Sequence, residues 1–215
     1  MVRMRVAFFG GTFDPIHRGH LAVASAAAAV FALDRVLFAP TGRQPLKSEP
    51  ATASFADRMA MTVLALTDPA TRNLKPETCN FTVSNLDAPR PGGAPNYTVD
   101  TLAALAREYP AASLFILTGA DSFLTLRNWR SPDQLLALAE WIVVSRPDFP
   151  LTPEFLTRPE FALTPDQRAR IHLLTTVHED VSATGLRHRL QASEPCRGLL
   201  PPSVAAYIQT HHLYR

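Results

Sequence analysis

The chain has 215 residues, of which 47% are hydrophobic, and its formal net charge at pH 7 is +2. This length and composition predict one globular domain with a sizeable core, and the balanced charge gives no argument for nucleic acid as a partner. Its two cysteines, Cys79 and Cys196, are far apart without metal-ligand spacing, which argues against a disulfide framework and favours a reduced, cytoplasmic setting.

The first predicted element is a buried strand at residues 6–9, an uninterrupted apolar run. It leads into a glycine-containing connection at 10–20, and the alanine-rich residues 19–31 then predict a helix. The N-terminus is therefore expected to be a first strand and not a signal peptide. The apolar run at 21–33 is too short to span a bilayer, so we expect no membrane partner.

The connection between this strand and this helix has the features of a phosphate site. Gly10 and Gly11 allow the backbone to approach a ligand closely, and the first turn of the helix offers free N–H groups and a partial positive charge. His17 and His20 are three residues apart, so both imidazoles should lie on one face of that turn, where they can donate to phosphoryl oxygens. The pattern predicts a site that binds a phosphate and acts on it.

Strands and helices continue to alternate along the rest of the chain. The further predicted strands are 36–38, 80–86, 113–117, 141–144 and 171–174. The further predicted helices are 54–66, 98–108, 132–139, 182–190 and 202–209. Ser54, Thr98 and Ser182 are predicted to cap the helices that they begin. Residues 145–170 contain five prolines and little periodicity, so we assign no structure to them.

This alternation predicts an α/β fold, an open parallel sheet with helices on both faces. We expect a single domain over residues 1–215, with a small C-terminal helical part at about 182–215. In such sheets, ligands bind beyond the carboxyl ends of the strands. The glycine connection, residues 118–121 and residues 145–147 all follow predicted strands, so they should gather at one edge of the sheet. Oligomeric state is left open, a homo-oligomer included.

Residues 10–20 carry the HxGH motif in the longer form GGTFDPIHxGH, and they resemble the nicotinate-nucleotide adenylyltransferase family of the nucleotidylyltransferase superfamily. Four further stretches resemble that family. They are residues 45–47, with Leu46 in place of the usual histidine, 96–102, with Asn96 in place of a serine, the GxDS…W block at 119–130, and SxTxxR at 182–187. The resemblance extends from about residue 6 to 215 and is weakest between 147 and 175.

The resemblance implies a Rossmann-like nucleotidylyltransferase fold and transfer of the adenylyl group of ATP to nicotinate mononucleotide, giving deamido-NAD and pyrophosphate in NAD biosynthesis. The attacking phosphate is already an anion, so the reaction requires no general base and no Ser or Cys nucleophile. Catalysis would rest on positioning and on neutralising phosphoryl charge. Mg²⁺ is expected to be bound mainly through ATP. Asp14 has two interpretations, as a metal ligand or as a cap of the turn.

The resemblance also implies roles for individual residues. The catalytic residues would be His17, His20, Lys47 and Arg187, with His20 the more direct of the two histidines. ATP would contact Gly10, Gly11, Thr12, Phe13, His17, His20, Gly119, Asp121, Ser182, Thr184 and Arg187. Nicotinate mononucleotide would contact Thr12, Lys47, Thr98, Trp129 and Arg130, and backbone N–H groups near Trp129 and Arg130 would take its carboxylate. We expect no set of protein ligands dedicated to a metal.

Three other functions remain open. Two are related adenylyltransferase activities, on nicotinamide mononucleotide or on phosphopantetheine, and the third is a non-catalytic nucleotide-binding regulator. Asp121, Trp129 and the length of the chain argue against phosphopantetheine. The retained histidines with Lys47 and Arg187 argue against a regulator, whereas Leu46 keeps that alternative open. Release of pyrophosphate from ATP with several acceptors would separate these functions.

Overall fold

The computed structural model describes residues 3–47, 49–145, 152–175 and 181–215. Within these ranges six strands form one parallel sheet in the order β3-β2-β1-β4-β5-β6. The strands are β1 (Arg5–Gly11), β2 (Arg35–Pro40), β3 (Asn80–Val83), β4 (Ser113–Gly119), β5 (Glu140–Val144) and β6 (Ile171–Leu174). The helices are α1 (Arg18–Val30), α2 (Phe55–Thr67), α3 (Thr98–Glu108), α4 (Ala120–Leu124), α5 (Pro132–Leu138), α6 (Pro165–Ala169), α7 (Ala183–Gln191) and α8 (Pro202–Thr210).

The central strands are apolar at consecutive positions because both faces of the sheet are covered. Successive side chains of a strand point to opposite faces. Phe9 and Phe38 accordingly pack with α1, α2 and α8 in one core cluster of the described residues, whereas Phe8, Leu37 and Trp141 pack with α3 and α5 in another. The predicted α/β class, with helices on both faces of a parallel sheet, is confirmed.

The strand order changes direction between β1 and β4, which are neighbours in the sheet. The chain runs outward from β1 through β2 to β3, then returns to add β4, β5 and β6 on the other side. The connections that follow β1 and β4 therefore leave the sheet in opposite directions and open a crevice at their carboxyl ends. Gly11 ends β1 and Gly119 ends β4, so both predicted glycine-containing connections border this crevice.

Two details of the predicted elements are wrong. Thr98 does not cap α3. It lies one residue inside that helix, and the Tyr97 carbonyl accepts from the first turn. Strand β3 ends at Val83 and not at 86, because the Ser84 hydroxyl accepts from the Leu86 N–H at 3.2 Å and turns the backbone out of the sheet. Ser54 and Ser182 are confirmed as caps, and each hydroxyl accepts from a backbone N–H three residues on.

The stretch 145–170, to which no structure was assigned from sequence, contains short helical elements in its described part. Residues 153–157 and 159–161 form 3₁₀ turns, and α6 follows them. Each of the three starts at a proline, because a fixed φ and a missing N–H suit the first helical position. The prolines that argued against structure therefore initiate it. Residues 146–151 lie outside the described residues.

The predicted C-terminal helical part contains α7 and α8. Leu186, Val204 and Ile208 from these helices are buried in the same core cluster as β1 and β2. The Ser203 N–H donates to the Asp68 carboxylate at 2.8 Å, which fixes α8 against the end of α2. None of the helices in the described part of the chain is long and apolar enough to cross a membrane.

Candidate active site

The two histidines lie side by side where α1 begins. His17 is the N-cap of the helix and is buried, and the centroids of the His17 and His20 rings are 3.7 Å apart. The prediction that both imidazoles share one face of the turn is confirmed. The His17 N–H donates to His20 Nδ1 at 3.2 Å. Because Nδ1 accepts in this contact, the neutral imidazole of His20 carries its proton on Nε2, which is the nitrogen that can donate to a phosphoryl oxygen.

The histidine geometry depends on close packing around the turn. A Cβ at Gly19 would lie 2.7 Å from Val181 Cγ1 and 3.0 Å from His17 Nδ1, so a side chain here would displace the imidazole. Phe13 packs edge-on against the His20 ring, with 4.9 Å between centroids. A Cβ at Gly10 would lie 2.7 Å from the Phe8 ring. The glycines of this loop therefore serve packing within the chain as well as close approach of a ligand.

Asp14 anchors the loop between β1 and α1. It is 3% exposed, and both of its carboxylate oxygens accept hydrogen bonds from other segments. Oδ2 accepts from the Thr52 N–H at 2.6 Å, and Oδ1 accepts from the Ala53 N–H at 3.1 Å and the Tyr214 hydroxyl at 2.7 Å. Because these three donors occupy the carboxylate, Asp14 is a structural anchor and not an open metal ligand.

Arg58 is a buried cation that the sequence did not single out. It is 2% exposed, and its Nη1 donates to the Thr12 carbonyl at 2.7 Å and to the Thr41 carbonyl at 2.9 Å. These carbonyls belong to the loops that follow β1 and β2, so one guanidinium holds the two loops together. Burial lowers the pKa of Arg58 and the charge of Asp14 opposes that shift. An arginine within an amphipathic helix gives no signal of this role before the loops are placed.

Two further cations meet beside the histidine turn. Lys47 is exposed as a residue, but its ammonium reaches inward and donates to Thr12 Oγ1 at 2.9 Å. Desolvation and the nearby charge of Arg187 lower the pKa of Lys47, against the opposing charges of Asp121 and Asp14. Arg187 donates to the Asp14 carbonyl at 2.8 Å. The fold thus brings Lys47 and Arg187, 140 positions apart in sequence, to one place where their charges repel.

The remaining predicted ATP residues lie on the elements around this point. Gly119 ends β4, and Asp121 follows it on the exposed first turn of α4. Ser182 caps α7, and Thr184 Oγ1 accepts from Arg187 Nη2 at 3.3 Å. The N-terminal turns of α1 and α7 therefore both present donors near the Asp14 loop. Of the predicted connection at 145–147, Ser145 follows β5, and residues 146 and 147 lie outside the described residues.

A partly apolar pocket opens next to the glycine loop. Of the predicted site residues, Gly10, Gly11, Thr98, Trp129 and Arg130 line it. Tyr97, Thr118, Ser122 and Asn128 also line it, and they lie in stretches that were singled out from sequence without a role for these residues. The other lining residues, for which no role was predicted, are Phe8, Thr41, Gln44, Asp87, Ile116, Leu117 and Leu135. Leu46, at the position where the resemblance would place a histidine, also lines the pocket and is 50% exposed.

Trp129 is held in position by contacts on its buried side. Its ring meets Trp141 edge-on with 5.8 Å between centroids, and its indole N–H donates to Thr125 Oγ1 at 3.1 Å. The backbone N–H of Trp129 donates to the Leu126 carbonyl at 3.0 Å, so this donor, which the resemblance offered to a carboxylate, is already used within the chain. The Arg130 guanidinium lies 4.7 Å from the centroid of the Tyr97 ring at the rim of the pocket.

Asp87 places a carboxyl group in the wall of the same pocket. It is 6% exposed and accepts from Thr101 Oγ1 at 2.9 Å. Burial raises the pKa of Asp87, while hydrogen bonds from Thr101 and Thr41 oppose the rise. The position could have been found from sequence, because an aspartate shortly after a predicted strand falls at the ligand-binding edge of a parallel sheet.

Among the residues that the structure describes, no group of three or more His, Cys, Asp or Glu side chains is arranged to hold a metal ion. Asp14 is occupied by three donors, and Asp121 is an exposed carboxylate near Lys47. This donor set does not form a cage for a divalent ion. A metal in this site would therefore need most of its ligands from a bound phosphate chain and from water.

Comparison with known proteins gives one family and a consistent set of relatives. Residues 8–189 match the Cytidylyltransferase-like family. A Streptomyces coelicolor protein named "Probable nicotinate-nucleotide adenylyltransferase" is 40% identical over 206 residues, covering 96% of this chain and 98% of that protein. A Thermus thermophilus protein of the same name is 39% identical over 212 residues, covering 99% of this chain and all of that protein.

A solved structure has the same fold. It is the Plasmodium falciparum nicotinic acid mononucleotide adenylyltransferase complexed with NaAD, with a TM-score of 0.76 over 99% of this chain and 98% of that chain. The two sequences are 16% identical, so this likeness bears on the fold alone.

Proposed function

The chain belongs to the Cytidylyltransferase-like family and, within it, to the nicotinate-nucleotide adenylyltransferases, and from this premise we propose that it transfers the adenylyl group of ATP to nicotinate mononucleotide. The products are deamido-NAD and pyrophosphate, and the reaction is a step of NAD biosynthesis. Residues 1–215 carry this activity as a single domain.

One observation supports the proposal above all others. Lys47 and Arg187 come together beside the His17–His20 turn although their charges repel, and desolvation of the ammonium adds to that cost. An anion bound between them would remove the repulsion and would also meet the positive end of the α1 macrodipole. A polyphosphate has the charge and the length to contact both cations and both imidazoles.

The mechanism follows from the chemistry of the two substrates. An oxygen of the mononucleotide phosphate attacks the α-phosphorus of ATP in line, and the bond to the bridging oxygen of pyrophosphate breaks. The attacking oxygen is already ionised, so the residues need only to align the two phosphates and to neutralise the charge on the phosphoryl oxygens. His20 Nε2 and His17 donate to the α- and β-phosphates, while Lys47 and Arg187 hold the phosphate chain and the leaving pyrophosphate.

The two nucleotides occupy opposite sides of the glycine loop in this proposal. ATP lies along Gly10–Phe13, Gly119 and Asp121, and the hydroxyls of Ser182 and Thr184 meet its phosphates at the start of α7. The pyridine ring of nicotinate mononucleotide enters the apolar pocket and stacks on Trp129, with Thr98 and Arg130 beside it. The pocket adjoins the glycine loop, which supports this arrangement.

Nucleotidyltransferases of this kind generally use a divalent metal. We propose Mg²⁺, entering as the MgATP complex and held by the phosphates and water, because the side-chain donors described here do not form a cage. When bound, the ion adds positive charge to the phosphate chain. The cationic side chains and the helix N-termini supply the rest of the positive charge that offsets the phosphates.

The test is release of pyrophosphate from ATP with three separate acceptors: nicotinate mononucleotide, nicotinamide mononucleotide and phosphopantetheine. We expect the highest kcat/KM with nicotinate mononucleotide. A preference for either other acceptor would replace the proposed substrate. Nucleotide binding without pyrophosphate release from any acceptor would favour a regulator.

The assay extends to the histidine turn. We expect His20→Ala to lower kcat roughly 10²- to 10³-fold, the usual cost of removing one donor to a developing oxyanion. His172→Ala, on the edge strand β6, is the matched control, and it should leave kcat unchanged. Equal turnover in wild type and His20→Ala would remove His20 from the mechanism.

A further inference from the structure

Tyr214, in the segment that follows α8, contacts the loop that carries the histidines. It is 4% exposed, and its hydroxyl donates to Asp14 Oδ1 at 2.7 Å across 200 positions of sequence. Asp14 stands three residues before His17, and its backbone carbonyl accepts from Arg187 Nη1 at 2.8 Å. One residue of the loop therefore connects the phenol to both the histidine turn and a predicted phosphate-binding cation.

The backbone at Tyr214 is costly to form. Its φ is +60°, in the left-handed region that disfavours residues with a Cβ. Such a conformation persists only where the surrounding contacts determine it. Here it delivers the aromatic ring into the main core cluster, to which Phe13 and Ile16 of the loop also belong. The ring provides packing, and the hydroxyl provides a directed bond to a carboxylate.

The phenol remains a donor over the whole working pH range. Burial, the hydrogen bond to Asp14 and the negative charge of that carboxylate together raise the pKa of Tyr214 far above its ordinary value, and the charges of Arg187 and Arg58 oppose the rise. The contact is therefore a constant feature of the folded chain and not a switch. Each donor that Asp14 loses leaves a buried carboxylate less well satisfied, and such a group shifts to regain a partner.

We propose that Tyr214 is a positioning residue for adenylyl transfer, whose hydroxyl fixes Asp14 so that the His17–His20 turn and Arg187 keep the spacing that the phosphates require. This inference rests on the proposed function and adds to it a residue from the far end of the sequence. Its effect falls on the transition state more than on substrate binding, because small displacements of charge-neutralising donors slow the reaction steeply.

Tyr207 provides a matched control within the same part of the chain. Its hydroxyl donates to Asp57 Oδ1 at 2.9 Å, so it also joins a phenol near the C-terminal end to a carboxylate elsewhere. Asp57 lies in the first turn of α2, where its carboxylate accepts from the Ser54 and Tyr207 hydroxyls and, among the described residues, not from the histidine turn or Arg187. Replacement of either tyrosine by phenylalanine keeps the ring and removes one hydroxyl.

The experiment compares wild type, Tyr214→Phe and Tyr207→Phe by steady-state kinetics and by hydrogen exchange, well below their melting temperatures. We expect Tyr214→Phe to lower kcat about tenfold while KM for each substrate changes less than about twofold. Amide exchange should accelerate in residues 12–20. Tyr207→Phe should keep the wild-type kcat, with faster exchange confined to the ends of α2 and α8.

Three outcomes would overturn the inference: a wild-type kcat in Tyr214→Phe, an equal loss of kcat in both variants, or a rise in KM with kcat unchanged. A kcat loss without faster exchange in residues 12–20 would also overturn it, since the loop would then not have moved. If wild type releases no pyrophosphate with any acceptor, the proposed function fails. The exchange measurement then still decides whether Tyr214 holds the loop.

Discussion

At the residue scale, the fold brings two cationic side chains, Lys47 and Arg187, to the loop between β1 and α1. Lys47 and Arg187 repel each other, and among the residues that the structure describes the charges of Asp121 and Asp14 oppose this at Lys47. Asp14 is already engaged by three donors. The electrostatic balance therefore favours an anionic ligand, whereas the neighbouring pocket, with Trp129 in its wall, favours a flat apolar ring.

Substitution of Trp129 tests whether the pocket binds the pyridine ring of nicotinate mononucleotide. If its ring stacks on the pyridine, Trp129→Ala should raise KM for nicotinate mononucleotide about tenfold, the usual worth of one aromatic contact with its buried area, and should change KM for ATP much less. Trp129→Phe, which keeps a flat ring, should recover most of the loss. Initial-rate measurements with each substrate varied in turn give both constants. A larger effect on ATP would place Trp129 beside the other nucleotide.

Lys47 should set the alkaline limit of activity. Its pKa is lowered by desolvation and by Arg187, so in the free enzyme its positive charge is lost at a lower pH than that of an ordinary lysine. We expect kcat/KM for ATP, which reports free-enzyme ionisations, to fall as pH rises through that lowered pKa. In Lys47→Arg the guanidinium stays protonated, so the fall should move to higher pH.

Lys75 is the control for this pH profile. Burial lowers its pKa too, and it follows the 3₁₀ turn at Pro69–Leu74, away from the glycine loop. Lys75→Arg should leave the alkaline limb where wild type has it. If the limb stays in place in Lys47→Arg as well, another group controls it and Lys47 does not contact ATP as proposed.

At the scale of elements, two helices direct their N-terminal turns at the same region. Helix α1 begins with the two histidines, and α7 begins at Ser182, with Arg187 one turn further in. A helix N-terminus attracts anions through free N–H groups and the macrodipole. We therefore expect a phosphate chain, longer than one phosphate, to contact both N-terminal turns.

Serine caps of two helices allow binding and stability to be separated. Ser182 caps α7 and Ser54 caps α2, each by accepting from a backbone N–H at 3.1 Å. Replacement of either serine by alanine should lower the free energy of unfolding by about 1 kcal/mol, measured by urea denaturation. Only Ser182→Ala should raise KM for ATP, by about tenfold, the value of a hydrogen bond to a charged group. A similar rise in Ser54→Ala would show that loss of stability, not of a contact, causes it.

At the scale of the whole molecule, the reversal of strand order positions the crevice in which the substrates are proposed to bind. The connection after β1 leads to β2 and β3 on one side of the sheet, and the connection after β4 leads to β5 and β6 on the other side. The crevice between these two connections is lined by residues from distant parts of the chain. The second core cluster supports the pocket from below, and the first holds the histidine helix together with α8. Binding of a substrate in the crevice should therefore raise the free energy of unfolding of the whole domain.

Thermal unfolding measures this coupling. At about 100 times its Kd, MgATP should add about 2.7 kcal/mol to stability, which raises Tm by about 5–10 °C for a chain of this length. His20→Ala should keep much of this shift while losing turnover, since the other phosphate contacts remain. If neither ATP nor nicotinate mononucleotide shifts Tm of the wild type, binding at the crevice is contradicted. A shift that vanishes in His20→Ala would make His20 a binding residue.

The sequence by itself determined the elements and the chemistry that is local to one segment. Strands buried on both faces are continuous apolar runs, so β1, β4 and β5 could be recognised from the sequence pattern. The histidine turn could be recognised as well, because it lies within eleven consecutive residues. The starts of the short helical elements between β5 and β6 could not be recognised from the sequence. Prolines at 153, 159 and 165 initiate turns that their number had argued against, because a proline starts a helix or breaks one according to its position.

Only the tertiary structure decided which distant segments meet. The strand order, the meeting of Lys47 with Arg187, the Arg58 clamp and the bond from Tyr214 to Asp14 all join positions far apart in sequence. Neither spacing nor propensity encodes such contacts, since they depend on how the whole core packs. The residues proposed to bind phosphate could therefore be recognised from the sequence, while the arrangement that holds them against one another is a property of the fold.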